Sequence, residues 1–345
     1  MKMLPTVRLN EEKLREIVEK IKDVTVCTVG DVCLDLYLYA DMKLSLLSRE
    51  TPHHPLPIVE ERSTPGGGGN VVNNVQALGV KRLLPVSLLG EDWRGYLLEG
   101  YFRRHGFDTT YILKSTDYIT TCFCKPMRMG ISDVVYEDPR LDFENRRPML
   151  PADEERLIAA LREAAAQSDI VVVSDQVRCG VITARVREVL TEIAREKPVV
   201  MDSREHTAYG KGIIAKPNEV EAALLLGRDI TGLHMETEEL AEIGRDLQRK
   251  NDTPVIVTLG ARGALWCEDG QVTLAPTVPA EPPLDIVGAG DTFLAAFCCA
   301  YAAGFDGAEA AAFGNLASGV TVKKVGTTGT ASPAEIMAKL QEVQA

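Results

Sequence analysis

Asp285-Ile286-Val287-Gly288-Ala289-Gly290-Asp291 runs straight into an apolar helical stretch, Thr292 to Ala303. Small residues at such a junction leave backbone N–H groups open at a helix start, where unsatisfied donors and the positive end of the helix dipole both attract an anion. Gly288, Ala289 and Gly290 are the expected donors, and Asp291 falls in the first turn, where its carboxylate can face whatever they hold. Phosphoryl transfer needs that combination: donors for the spreading charge, and an acceptor for the proton of the attacking hydroxyl. A glycine-rich turn with an Asp cap has the same local sequence.

Four further constellations carry chemistry. Gly66-Gly67-Gly68-Gly69-Asn70 permits close approach of backbone to ligand, and Asn70 offers both a donor and an acceptor to a pair of polyol hydroxyls; a loose loop before a helix reads the same way. Asp31 and Asp35 follow a first apolar run, at the strand end where open α/β sheets place ligands. Either can accept from sugar hydroxyls, Asp35 being the better candidate and Asp31 equally a structural cap. Lys216-Pro217-Asn218-Glu219-Val220-Glu221 starts a helix with Asn218 and Glu221 on one side of its first turn, where a carboxylate can hold magnesium-bound water and an amide can meet phosphate oxygens. A reciprocal capping box has that spacing too. Thr258-Leu259-Gly260-Ala261-Arg262-Gly263 ends a strand with a hydroxyl and two glycines, a shape that suits a triphosphate or a simple turn. No G-x-x-x-x-G-K-[ST] occurs, and no G-x-G-x-x-G opens a helix after a strand, so a P-loop is excluded and a dinucleotide oxidoreductase has little support.

Composition narrows the partners. The net charge of -12 over 345 residues argues against binding nucleic acid across a broad face, which takes Lys and Arg. An anionic substrate must then be drawn by local donors. Met1 to Asp23 is charged and helix-like with no apolar signal core, and no later stretch is long and apolar enough to span a bilayer, so a cytoplasmic protein is expected. Cys27, Cys33, Cys122, Cys124, Cys179, Cys267, Cys298 and Cys299 form no C-x-x-C pair and read as reduced, buried small hydrophobes. His53, His54, His105, His206 and His234 lack zinc-site spacing and read as solvated or structural.

These residues need elements to hold them. An apolar run at Val24 to Val29 predicts a buried strand, the glycine run opens a helix through Leu78, and Arg82 to Leu88 predicts a strand before a helix from about Asp92 to His105. From Pro151 strands alternate with helices: helices 153–166, 181–195, 218–226, 236–250, 289–303, 306–320 and 333–342, with strands at Ile170 to Val173, Val199 to Met201, Ile213 to Ala215 and Val255 to Leu259, then a hairpin across Asp269-Gly270. That rhythm predicts an α/β fold, a doubly wound, mostly parallel sheet covered on both faces. Two β-rich departures, about 36–65 and 111–143, are expected to lie together as a small β lid on a single domain spanning 1–345, closing to exclude water. A dimer through the exposed faces of two lids is expected as well.

Taken in order, Gly66–Asn70, Asn218-x-x-Glu221, Thr258-x-Gly260-x-x-Gly263 and Asp285-x-x-Gly288-Ala289-Gly290-Asp291 resemble the motif series of the ribokinase-like (PfkB) carbohydrate kinases over nearly the whole chain. The resemblance implies ATP as donor, magnesium, and transfer to a sugar hydroxyl, with Asp291 as base, residues 288–290 as anion hole, and Asn218 and Glu221 as the phosphate and magnesium motif. It also implies a monovalent cation, K+, at Asp285, Val287, Thr321 and Gly326, and an adenine pocket at Asn315 and Ser318. Within the family the chain is most similar to the heptose 7-phosphate kinases, the kinase half of ADP-heptose synthases, through Gly30–Asp35, Ser48–Pro52, Arg140–Glu144, Ser174-Asp175, Lys216–Asn218 and Lys324–Thr327. A phosphorylated acceptor implies basic groups near the lid, for which Lys125, Arg128, Arg140 and Arg204 are available. The sequence departs from that subfamily at His53-His54, at Gln176 to Cys179 and at Asp202-Ser203-Arg204, and ends without a nucleotidyltransferase half. A kinase for another sugar or a nucleoside, and a non-catalytic binding regulator, are the alternatives.

Overall fold

A computed structural model describes residues 4–130, 132, 134–204, 210–228, 230, 232, 233, 235–277, 280–326 and 328–344. His206, His234 and Thr327, all named above, lie outside the described residues. The helix Glu11–Lys20 leads into β1 (Thr25–Gly30), after which β2 (Val32–Asp41) and β3 (Ile58–Gly67) leave and return. The helix Gly68–Leu78, β4 (Arg82–Gly90), the helix Trp93–Arg104 and β5 (Ile112–Ser115) follow. A second departure gives β6 (Cys122–Met129), β7 (Tyr136–Glu137) and β8 (Leu141–Phe143). The helix Pro151–Ala166, β9 (Ile170–Asp175), the helix Ala184–Ile193, β10 (Val199–Ser203) and β11 (Ile213–Ala215) restore the alternation. After the helices Glu219–Leu225 and Thr237–Asn251 come β12 (Val255–Thr258), β13 (Ala264–Glu268) and β14 (Gln271–Ala275), then the helices Ala289–Ala302, Gly307–Thr321 and Pro333–Gln344.

Among the described residues nine strands pair in the order β14-β13-β12-β11-β10-β9-β1-β4-β5. Pairing is parallel except for β13 and β14, which fold back antiparallel on β12. The inner strands are apolar on both faces because helices cover both; every residue of β9 is buried. From β1 the chain winds outward through β4 and β5 on one side, and through β9 to β12 on the other. The switch point of the sheet therefore lies between the carboxyl ends of β1 and β9, where open α/β sheets leave a crevice.

A second sheet, β3-β2-β6-β7 with β8 also on β6, stands beyond that crevice. It differs from the expected lid in two ways. Pairing begins at Val32 instead of about 36, because β2 continues from β1 with only Asp31 between them, and both β2 and β3 run ten residues. Ile112–Ser115 belongs to the main sheet as the parallel partner of β4 at Ser87–Gly90, so the second departure starts at Cys122 instead of 111.

The helix that begins at the expected anion site is buried without interruption from Thr292 to Ala300. Phe293, Phe297 and Tyr301, four apart, stack with centroids 6.2 and 5.5 Å apart, and Trp266 leans on Phe297 at 5.7 Å. Each ring buried this way contributes about 1.5–3 kcal/mol. The amino end of this helix is thus fixed by a rigid core.

Candidate active site

Gly288 ends the preceding loop with φ 79°, a left-handed conformation that favours glycine, and a Cβ there would lie 2.5 Å from Asn70 Nδ2. The helix then starts at Ala289. Ala289 N–H donates back to the Ile286 carbonyl at 3.2 Å, and Thr292 N–H to the Gly288 carbonyl at 3.0 Å. Among the described residues the N–H groups of Gly290 and Asp291 meet no acceptor. Of the expected donors 288–290, the tight left-handed turn commits Ala289, while the N–H of Gly288, like those of Gly290 and Asp291, meets no acceptor among the described residues.

Asp291 is half-buried, and Asn70 Nδ2 donates to its Oδ2 at 2.9 Å. Burial pushes its pKa up to about 6, against the pull of Asn70; Asp202 adds to the rise while Lys216 and Arg204 oppose it. Asn70 is fully buried in the first turn of its helix and spends its amide donor on Asp291 and, at 3.5 Å, on the Gly288 carbonyl. The sequence expectation gave Asn70 to a polyol; among the described residues its amide donor meets the Asp291 carboxylate. Its neighbours are equally occupied: Gly68 N–H donates to the Asp31 carbonyl at 2.8 Å, and a Cβ on Gly67, with φ 53°, would sit 2.8 Å from that carbonyl. Glycine at 67 and 68 lets the helix start lie directly on the end of β1. Asp31 takes the capping alternative, its carboxylate accepting from the N–H groups of Gln176, Val177 and Val181 at 2.7–3.0 Å.

Lys216 is buried and pairs with Asp202 at 3.1 Å, with its Nζ 3.9 Å from where a Cβ on Gly290 would be. Asp202, registered by sequence only as a departure, is thus a site residue. Asn218 and Glu221 form the capping box: Asn218 Oδ1 accepts from Val220 and Glu221 N–H, and Glu221 returns the bond to Asn218 N–H at 2.8 Å. Burial raises the Glu221 pKa, helped by Asp202 and opposed by its own cap bond, Lys216 and Arg204. Two carboxylates that repel one another beside exposed Arg204 are a donor set that fits magnesium held through water.

A cleft of about 430 Å³ runs from Asn218, Thr258, Gly260 and Gly263 past Leu284, Ile286 and Phe293 to Asn315 and Ser318, with Ala289 and Gly290 at its inner end. Its size and mostly apolar wall suit a nucleotide. Gly263 has φ 106°, and a Cβ there would meet the Ala275 carbonyl at 2.1 Å, so only glycine closes that turn. Asn315 Nδ2 donates to the Ala275 carbonyl at 2.7 Å and Ser318 Oγ to the Ala289 carbonyl at 2.9 Å, which tie the cleft's walls together. Asp285 accepts from Val287 N–H at 3.0 Å and from Gly326 N–H at 2.9 Å, while Thr321 Oγ1 donates to the Ser318 carbonyl at 3.2 Å. One carboxylate and the backbone around it fit a monovalent cation.

Across the crevice, Asp35 is 6% exposed on β2, with Lys125 Nζ at 3.5 Å; Lys125 also donates to the Tyr37 hydroxyl at 3.0 Å. Arg140 lies over the Phe123 ring at 4.4 Å and makes a two-point pair with Asp142. Arg128 is taken by Asp138 at 2.7 Å. Tyr37 was not singled out by sequence; its place opposite Lys125 follows from the parallel register of β2 and β6.

Residues 24–335 match the model of the pfkB family carbohydrate kinases. Curated relatives named bifunctional protein HldE from Geobacter metallireducens and Geobacter sulfurreducens are 31% and 32% identical over 338 and 323 residues, or 96% and 92% of this chain. The alignments cover 66% and 63% of those proteins, so the chain spans about two thirds of their length. Arabidopsis thaliana ribokinase complexed with ribose and ATP superposes with a TM-score of 0.67 at 20% identity, covering 92% of this chain and 99% of its own. Phosphofructokinase-2 from Escherichia coli in complex with fructose-6-phosphate gives 0.70 at 17%, covering 93% and 100%. Identities that low show the fold alone: a ribokinase-like one. The family match is of another order, and by it the chain belongs to the pfkB carbohydrate kinases, enzymes that transfer a phosphoryl group to an alcohol.

Proposed function

We propose that the chain moves the γ-phosphoryl group of ATP onto a sugar hydroxyl, with Asp291 as the base. The observation that carries this reading is the half-buried Asp291 carboxylate, held by Asn70 next to two open N–H donors at the inner end of a nucleotide-sized cleft. Adenine would lie by Asn315 and Ser318 and the phosphates along Gly260 and Gly263 towards Lys216, with the γ-phosphoryl group on the N–H groups of Gly290 and Asp291. Asp291 takes the hydroxyl proton as the phosphoryl group moves in line. Magnesium, when bound, neutralises phosphate charge; Glu221 and Asp202 would hold it through water, and a monovalent cation would sit by Asp285. Closure of the second sheet over the crevice would exclude water.

Asp35, Lys125, Tyr37 and Arg140 are proposed to receive the acceptor, with heptose 7-phosphate at its anomeric hydroxyl as the preferred one. The heptose-kinase motifs and relatives named HldE support it. An ADP-release assay should give the highest kcat/KM with a heptose 7-phosphate in a panel of hexoses, ribose and nucleosides; turnover of plain hexoses alone would remove the heptose. A sugar-binding regulator would release no ADP with any of them.

The base also sets a pH profile. Asp291 works only when ionised, so kcat/KM should fall about tenfold per pH unit below about 6 and level off above it. A profile flat to pH 5 would exclude this carboxylate as the base. No described helix is long and apolar enough to cross a membrane, and the cytoplasm is the proposed location. Val59, Tyr136, Leu141 and Phe143 stand exposed on the second sheet, a face that a second copy of the chain is proposed to cover.

A further inference from the structure

The helix Gly68–Leu78 carries a second asparagine one turn beyond Asn70, for which the mechanism above has no task. Asn74 is buried, 1% exposed. Its Nδ2 donates to the Asn70 carbonyl at 3.0 Å, to Asn70 Oδ1 at 3.2 Å and to the Gly329 carbonyl at 3.4 Å. Three oxygens converge on that nitrogen, so turning the amide over would set oxygen against oxygen three times. Its own Oδ1, though buried, meets no donor among the described residues. An unpartnered buried acceptor is costly, and mid-helix packing would be served better by Leu or Ala. Stability alone gives no reason for an amide here.

Asn70 has one donor end and one acceptor end. With Oδ1 engaged by Asn74, its Nδ2 is turned towards Asp291 Oδ2 and the Gly288 carbonyl. On the reading that Asp291 is the base, we propose that Asn74 is a positioning residue: it fixes the Asn70 amide donor-first against Asp291 and, through Gly329, ties the base to the loop after Thr321. That loop also places Gly326 on Asp285, so the base and the nucleotide side of the cleft share one support. If Asn74 stops donating, the Asn70 amide can turn over, set its oxygen against the carboxylate, and favour the protonated acid. The other groups acting on Asp291 come from β10, the segments after it and after β11, and β2: Asp202, Arg204, Lys216 and the buried Cys33 thiol. Substitution at 74 leaves all of them in place.

Two variants separate orientation from packing. Asn74→Asp keeps the size and replaces the donor with an oxygen; Asn74→Ser loses volume and keeps a hydroxyl donor. Positioning makes Asp the worse, with kcat down about tenfold to a hundredfold and the acid limb of kcat/KM moved to higher pH, while Ser leaves the limb near its wild-type place. A packing role makes Ser the worse and leaves the limb unmoved in both, which overturns the proposal. In an Asn70→Leu background Asn74→Ser should cost no further turnover, since it would act through Asn70; an undiminished second loss overturns the proposal even if Asn74→Asp does not fold. Full turnover by Asp291→Asn would remove the base itself. A dead Asp291→Asn with additive Asn70 and Asn74 effects removes only the relay.

Discussion

Asp291→Asn is expected to lower kcat by about 10²–10⁴-fold and to leave the folded state intact. Asparagine has the shape of the carboxylate and can still accept from Asn70 Nδ2, but it cannot take the acceptor's proton. Stability should move the other way. In the unfolded chain this carboxyl ionises near its usual 3.8, whereas in the folded protein burial holds it at about 6. Between those values the folded state binds more protons, so its stability falls as pH rises through that window, and at pH 7 the whole penalty is present. The neutral amide escapes it. A thermal melt at pH 7 should therefore show an unchanged or higher midpoint for a variant that has lost nearly all ADP release. Wild-type turnover in that variant would end the assignment.

The parts of this site legible in the sequence are those whose geometry is local. An N-terminal helix turn opens its N–H groups whatever it packs against, so Gly288–Asp291 could be read directly, and Asn218 with Glu221 could be read as far as their spacing allowed. Capping box and magnesium ligand share that spacing; the structure forms the cap, and the second carboxylate beside Glu221, Asp202, was not visible from that spacing. What could not be read depends on partners far along the chain. Asn70 meets Asp291 across 221 residues, and nothing near either one says that the amide will be spent on the base. The available hint was the pair Asn70 and Asn74, two amides one helical turn apart in a helix whose first two turns are buried. Ala289 misled because the left-handed Gly288 tightens the turn and returns its N–H to Ile286. In the second sheet, β2 is paired along its length by β3 on one side and β6 on the other, and its Leu- and Tyr-bearing pattern gives no sign of that length until both partners are known. Ile112–Ser115 shows the reverse error: a short apolar piece between two polar stretches gives no sign of which sheet will take it.

Asp35→Ala is expected to raise the KM for the sugar by at least about 10²-fold while leaving the KM for ATP unchanged. The carboxylate is buried at the foot of β2, opposite Thr64 on β3 and Phe123 on β6, and a Cβ on Gly66 would come within 2.6 Å of its Oδ2. Glycine at 66 therefore holds the room that Asp35 occupies. Burial raises the Asp35 pKa, and Lys125 and Arg140 pull it back. At 3.5 Å the Lys125 contact neutralises the carboxylate without using up its acceptor capacity, so its oxygens remain able to take sugar hydroxyls. Two hydrogen bonds to a charged acceptor are worth about 1.5–3 kcal/mol each, which sets the lower bound on the KM change. Asp35→Asn, of equal size and uncharged, should fall between the wild type and Asp35→Ala. The alanine variant also leaves Lys125 buried beside Tyr37 without its counter-charge, and some stability should be lost with it. Asp35→Ala combined with Lys125→Met separates the two effects: removing the stranded ammonium should restore the melting midpoint and leave the sugar KM high. If the double variant instead recovers sugar affinity, Asp35 serves only to neutralise Lys125, and the acceptor's hydroxyls are held elsewhere in the crevice.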